Sequence, residues 1–148
     1  MPSVDDGRTI SVQTRQDAAV RVINVRGEID VGSVAALQPA IEAALAADGP
    51  VVVDLCAATF LDSTGLYSLL VFRENLREQS RPLAVACWPS GAVAMAFRVS
   101  GTDRVFQLHA SRDAAVAAVL QSGDPLGSVR RAAEGVLSEA IRRLRSWR

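Results

Sequence analysis

The sequence predicts an α/β fold with a mainly parallel central sheet of about five strands flanked by about four helices, plus an extra C-terminal helix. Three observations carry that prediction. From residue 51 onward, strand-like and helix-like apolar patterns alternate, which requires crossover connections between parallel strands. Val51-Val52-Val53-Asp54-Leu55 is apolar at every position but Asp54, the pattern of a strand covered on both faces. Two short segments rich in β-branched residues precede it and read as a hairpin.

In chain order, Thr9 to Gln13 and Ala18 to Arg26 are the hairpin strands, with Gln16-Asp17 as their turn. Beyond Gly27, the residues Val34, Leu37, Ile41, Ala44 and Leu45 recur at helical spacing up to Asp48-Gly49-Pro50. Pro39 lies inside that stretch, where a proline removes a backbone donor and clashes with the preceding turn, so this helix either starts late or kinks. The buried strand from Val51 follows. A second helix runs from Ser63 to about Gln79, apolar through Leu66, Leu69, Leu70 and Val71 and then charged at Arg73, Glu74, Arg77 and Glu78. Its start should be buried and its end exposed. Pro82 to Cys87 reads as a strand, Ser90 to Val99 as a third helix, Val105 to Leu108 as a last short strand and Ser111 to Leu120 as a fourth helix.

With 148 residues, 49% of them hydrophobic, the chain can build one domain with a full core. No apolar run approaches the roughly 18 to 20 residues of a membrane span, and Met1 to Arg8 has no apolar stretch after a basic start, which points to the cytoplasm. Cys56 and Cys87 sit in apolar segments without the close spacing of a metal or redox pair and read as reduced core thiols. All 16 basic residues are arginine, which excludes the lysine of a phosphate-binding P-loop and Schiff-base chemistry. His109 is the single histidine. A metal site built on several histidines is therefore excluded, a hydrolase triad is disfavoured, and His109 itself reads as a structural or surface residue near a strand end. A binding protein rather than an enzyme is expected, with no catalytic residue, cofactor or metal.

The most informative stretch is Phe60-Leu61-Asp62-Ser63-Thr64-Gly65-Leu66, where a buried strand gives way to a helix. Asp62 or Ser63 can cap that helix, and Gly65 leaves its first turn bare, so that a partner can approach the backbone closely. Taken alone, a good N-cap explains the pattern. Over about residues 9–120, however, the chain resembles the STAS domain of anti-sigma factor antagonists. Asp54-Leu55 followed by Phe60 to Leu66 is similar to that family's phosphorylation-site signature, Gly27-Glu28-Ile29-Asp30 to its motif after the second strand, and Phe97-Arg98-Val99-Ser100-Gly101 to its third-helix ending. The chain departs from the pattern at Thr102, where the family commonly has an apolar residue, often leucine; a local repacking is expected there.

The resemblance implies a switch. Ser63 is then the phosphoacceptor, with Thr64 as second choice, and Glu28, Asp30, Asp62, Ser63, Thr64 and Gly65 form the partner-binding set. The implied partners are an ATP-dependent anti-sigma factor serine/threonine kinase, bound by the unphosphorylated form so that the sigma factor is freed, and a phosphoserine phosphatase that resets the switch. No histidine or lysine adjoins Ser63 in the sequence, so its hydroxyl is cast as a substrate rather than a nucleophile. The alternative is a constitutive STAS scaffold in a larger sensory or lipid-transport assembly, with Ser63 only a helix cap. A small enzyme or nucleotide-binding protein is disfavoured by the missing lysine, the single histidine and the lack of a glycine-rich phosphate loop.

Residues 124–148 lie outside the resemblance and read as a separate basic amphipathic helix. From Asp124-Pro125 onward, Leu126, Val129, Ala133, Val136, Leu137, Ala140, Ile141 and Leu144 keep helical spacing, and Arg142, Arg143, Arg145 and Arg148 gather where cations suit the helix dipole. Residues 1–125 carry 10 Arg against 14 Asp and Glu, whereas 126–148 carry 6 Arg against 2 Glu. Such a helix can pack on the body, dock on a partner or on a second copy in a homodimer, or lie on an anionic membrane surface. Direct DNA binding is not expected, because the body is acidic.

Overall fold

In the structure, a computed structural model that describes residues 10–122 and 140–145, the chain enters through an antiparallel hairpin of β1 (Ser11–Asp17) and β2 (Val20–Ile29). Thr9, the expected first strand residue, lies outside the described residues. Asp17 pairs with Val20, so the turn is Ala18-Ala19 and not Gln16-Asp17. Ala18 adopts φ 54°, the left-handed conformation that two-residue hairpin turns demand, and no Asn-Gly or Asp-Gly pair marks the place in the sequence. Strand β2 also runs on past Gly27, whose φ of 96° only glycine adopts readily.

A 3-10 turn over Val34–Leu37 leads into α1 (Gln38–Leu45), and Pro39 falls in the first turn of α1, where a missing N–H costs nothing. The helix starts late and is not kinked. Then come β3 (Val51–Leu61), α2 (Ser63–Glu78), β4 (Leu83–Ala86), α3 (Ala92–Ser100), a 3-10 turn over Thr102–Arg104, β5 (Gln107–His109) and α4 (Arg112–Gln121). The buried Arg81 donates from Nε to the Gly49 carbonyl and from a terminal nitrogen to the Ala44 carbonyl, both at 2.8 Å, and so satisfies the carboxyl end of α1.

Among the described residues the strands form one sheet in the order β1-β2-β3-β4-β5, antiparallel only between β1 and β2. The order never reverses. Successive crossovers of the usual right hand therefore place α1, α2 and α3 on the same face, where Ile29, Val53, Leu66, Leu70, Phe72 and Phe97 form the main core. The opposite face is covered by α4, whose Ala115, Val116 and Val119 pack on Val22, Val52 and Ala84. A sheet without a reversal also lacks the switch-point crevice in which doubly wound folds bind nucleotides.

Thr102 is fully buried, and its hydroxyl lies 2.8 Å from Ser100 Oγ and 3.3 Å from the Phe97 carbonyl. A buried hydrogen-bonded pair thus stands where an apolar contact was expected. Of the predicted C-terminal helix, residues 124–139 and 146–148 lie outside the described residues; residues 140–145 are helical, with Ala140 and Leu144 buried. No helix among the described residues is long and apolar enough to cross a membrane.

Candidate functional site

Two turns meet at the carboxyl ends of β2 and β3, and Asp62 joins them. Its backbone is extended, at φ −97° and ψ −176°, which makes it the N-cap of α2. One carboxylate oxygen accepts the Gly65 N–H at 3.0 Å, while the other accepts the Val31 N–H at 3.1 Å across the gap to the β2–α1 loop. The Asp62 N–H in turn donates to the Ile29 carbonyl at 3.1 Å. A single carboxylate therefore fixes the start of α2 and the neighbouring loop. Asp62→Ala is expected to cost about 1–2 kcal/mol of stability and to speed amide exchange at Val31 and Gly65, measured by urea unfolding and NMR.

Asp30 organises its own loop. Its carboxylate accepts the N–H groups of Gly32 at 2.9 Å and Ser33 at 3.0 Å, and its N–H donates to Ser33 Oγ, which itself donates to the Glu28 carbonyl. The loop so braced presents Val31 to solvent at 77% exposure. Val31 was not singled out in the sequence. An apolar residue set between Asp30 and Gly32 inside a turn is the signal that could have found it.

Ser63 is the first residue of α2 and half-buried, and its hydroxyl makes no hydrogen bond among the described residues. Asp62, not Ser63, caps the helix. Thr64, also half-buried, turns toward α1, where with Tyr67, Ser68, Val34 and Gln38 it lines an open groove of about 310 Å³. His109 ends β5, two strands away from β3, so it does not reach this junction. No group of three or more metal-ligating side chains gathers anywhere among the described residues.

The family model for the STAS domain matches residues 10–115 of this chain. The chain belongs to the STAS domain family. Its fold is shared with a crystal structure of an anti-sigma factor antagonist from Mycobacterium paratuberculosis, 32% identical, with a TM-score of 0.70 over 76% of this chain and 95% of that one. It is also shared with the anti-sigma factor antagonist SpoIIAA in its unphosphorylated form, at 22% identity and a TM-score of 0.62 over 74% of this chain and 96% of that one. Bacillus SpoIIAA in its phosphorylated form aligns at 21% identity with a TM-score of 0.57, over 74% and 99% of the two chains. Among curated proteins none matches this sequence significantly.

Within this STAS domain two of the expected docking residues point elsewhere. Gly65 is buried, and a Cβ there would lie 2.5 Å from Leu61 Cδ1 and 2.8 Å from Ile29 Cγ2. Its bare face thus admits the ends of β2 and β3 beneath the helix rather than a partner from outside. Glu28 pairs in register with Phe60, and both immediately precede Ile29 and Leu61, which enter the core under α2. Alternation along the strands directs Glu28 to the opposite face of the sheet from Ser63. The junction therefore brings together Asp30, Asp62, Ser63 and Thr64, with Val31 beside them.

Both thiols are harder to ionise than a free cysteine. Burial, followed by the Asp54 carboxylate beside it, pushes the Cys56 thiol up to about 12, and burial raises Cys87 as well, against the opposing effect of Arg98. The sign follows directly: a thiol harder to ionise folded than unfolded contributes stability below the free-thiol value of 9.0, and loses it as pH climbs from there toward 12. At about pH 8 Cys56 is therefore held in its thiol form. An aromatic disulfide reagent should accordingly label folded protein far more slowly than protein in urea.

Proposed function

We propose that this chain is a cytoplasmic anti-sigma factor antagonist that works by partner switching. When unphosphorylated it binds an anti-sigma factor that is also a serine kinase, and the sigma factor is released. Phosphorylation of Ser63 ends that binding, and a phosphoserine phosphatase restores it. The observation that carries the proposal is the state of Ser63: its hydroxyl stands at the head of α2 with no hydrogen bond among the described residues, on a junction already braced by Asp62, in a STAS domain similar to a solved anti-sigma factor antagonist.

The scaffold alternative needed Ser63 as the helix cap. Since Asp62 fills that role, the serine is not needed as the cap, which supports the switch. The kinase supplies the chemistry. Its base takes the Ser63 proton, the Oγ–P bond forms as the bond between the γ-phosphorus and the ADP oxygen breaks, and this chain carries no catalytic step of its own. The product gains about 1.5 to 2 negative charges at a helix start that tolerates anions, so the domain stays folded. Beside Asp62, that charge repels acidic groups and must be desolvated before any surface can close over Val31 and Thr64.

Incubation with ATP and each anti-sigma kinase of the source cell tests the assignment. Wild type is expected to gain one phosphate and Ser63→Ala none. Equal labelling of Ser63→Ala would move the acceptor to another residue, Thr64 first.

A further inference from the structure

The helical segment 140–145 lies against the seam between α2 and α3. Leu144 enters the main core, and Arg143 donates to the Val99 carbonyl at 3.4 Å near the carboxyl end of α3. Arg145 holds its guanidinium carbon 5.8 Å from the centre of the Tyr67 ring and donates to the Tyr67 hydroxyl at 3.5 Å. No carboxylate pairs with Arg145 among the described residues. Ser63, Tyr67, Leu70 and Glu74 follow one another along α2 at intervals of four, three and four residues, which makes a single stripe. Tyr67 stands one helical turn after Ser63, and helix side chains lean toward the amino end, so the ring that holds the Arg145 guanidinium belongs to the turn next to that hydroxyl. The two residues are only about 6 Å apart along the helix axis.

We infer that Arg145 is the intramolecular partner of phosphorylated Ser63, and that the phosphate pins segment 140–145 across the face on which unphosphorylated Ser63 is offered to the anti-sigma factor. The inference rests on the phosphorylation proposed above. An arginine–phosphate pair with two parallel N–H···O bonds is stronger than an exposed contact between a cation and a ring, so the guanidinium leaves Tyr67 for the phosphate. Leu144 and Arg143 already hold the segment in place, which keeps the ordering cost of the new contact small. Arg145 also offsets the repulsion between the phosphate and Asp62. Phosphorylation then acts twice on the partner, by charge and by a fastened cover.

The test uses the full chain synthesised with phosphoserine at position 63, so that no kinase is needed. Phosphorus NMR titration is expected to place the second phosphate ionisation roughly one unit lower in wild type than in Arg145→Gln. Asp62 is present in both proteins, so the difference isolates the arginine, and Arg145→Lys should retain most of it. Amide exchange in 140–145 should slow about tenfold on phosphorylation in wild type and not in Arg145→Gln. Equal phosphate titration in wild type and Arg145→Gln would overturn the inference. That failure is distinct from failure of the switch itself, which would show as an unmodified Ser63 in the cell with the NMR difference intact.

Discussion

Ser63→Asp is expected to weaken capture of the anti-sigma factor at least 30-fold, or about 2 kcal/mol, while the unfolding free energy stays within about 0.5 kcal/mol of wild type. Both halves follow from the position of the side chain. As the first residue of α2, with no side-chain hydrogen bond to lose among the described residues, it can become an anion without breaking one, and the positive end of the helix dipole receives the charge. The same charge stands next to Asp62 at the rim of the surface formed by Val31 and Thr64, where an approaching partner must strip its water. Isothermal titration against the purified anti-sigma factor and urea unfolding measure the two effects separately. Unchanged affinity would place the docking face away from Ser63, and a large loss of stability would mean that the serine is structural.

Phe97→Ala is expected to cost about 3–5 kcal/mol, a large share of the stability of a domain this size. Phe97 is fully buried on α3 and meets Phe106 edge to face, with centroids 5.3 Å apart and planes at 74°. Its carbonyl also accepts from Ser100 Oγ at 3.1 Å and from Thr102 at 3.3 Å, so the ring and the buried polar pair hold the same helix end. Removing the ring leaves a cavity between α3 and the 3-10 turn that leads into β5, which the surrounding backbone cannot fill. Urea unfolding should show a lower midpoint at unchanged slope. A cost under about 1 kcal/mol would contradict the packing described for this helix.

The sequence made the alternation of elements and the junction at Ser63 legible, because both rest on local signals: apolar periodicity, and a cap residue placed just before an apolar run. Helix α2 ends within a residue of its expected limit for that reason. The apolar run Val51 to Leu55 and the strand end at Phe60-Leu61 are legible, but nothing local marks residues 56–59 between them as strand, since register shifts between Asn24 and Arg26 and between Gly27 and Glu28 break the alternation there. The inward face of Gly65 was hidden for a different reason. A glycine announces a missing Cβ but not its direction, and only the positions of Ile29 and Leu61 decide that. The contact of Arg145 with Tyr67 spans 78 residues and has no local trace at all.

Intact-mass analysis with site mapping, on protein purified from its own cells during growth and under stress, tests the central claim most directly. A population that shifts between the unmodified chain and one phosphate, mapped to Ser63 and changing with condition, is the predicted result. A Ser63 that stays unmodified in every condition would contradict the switch and leave a constitutive STAS interaction module in its place.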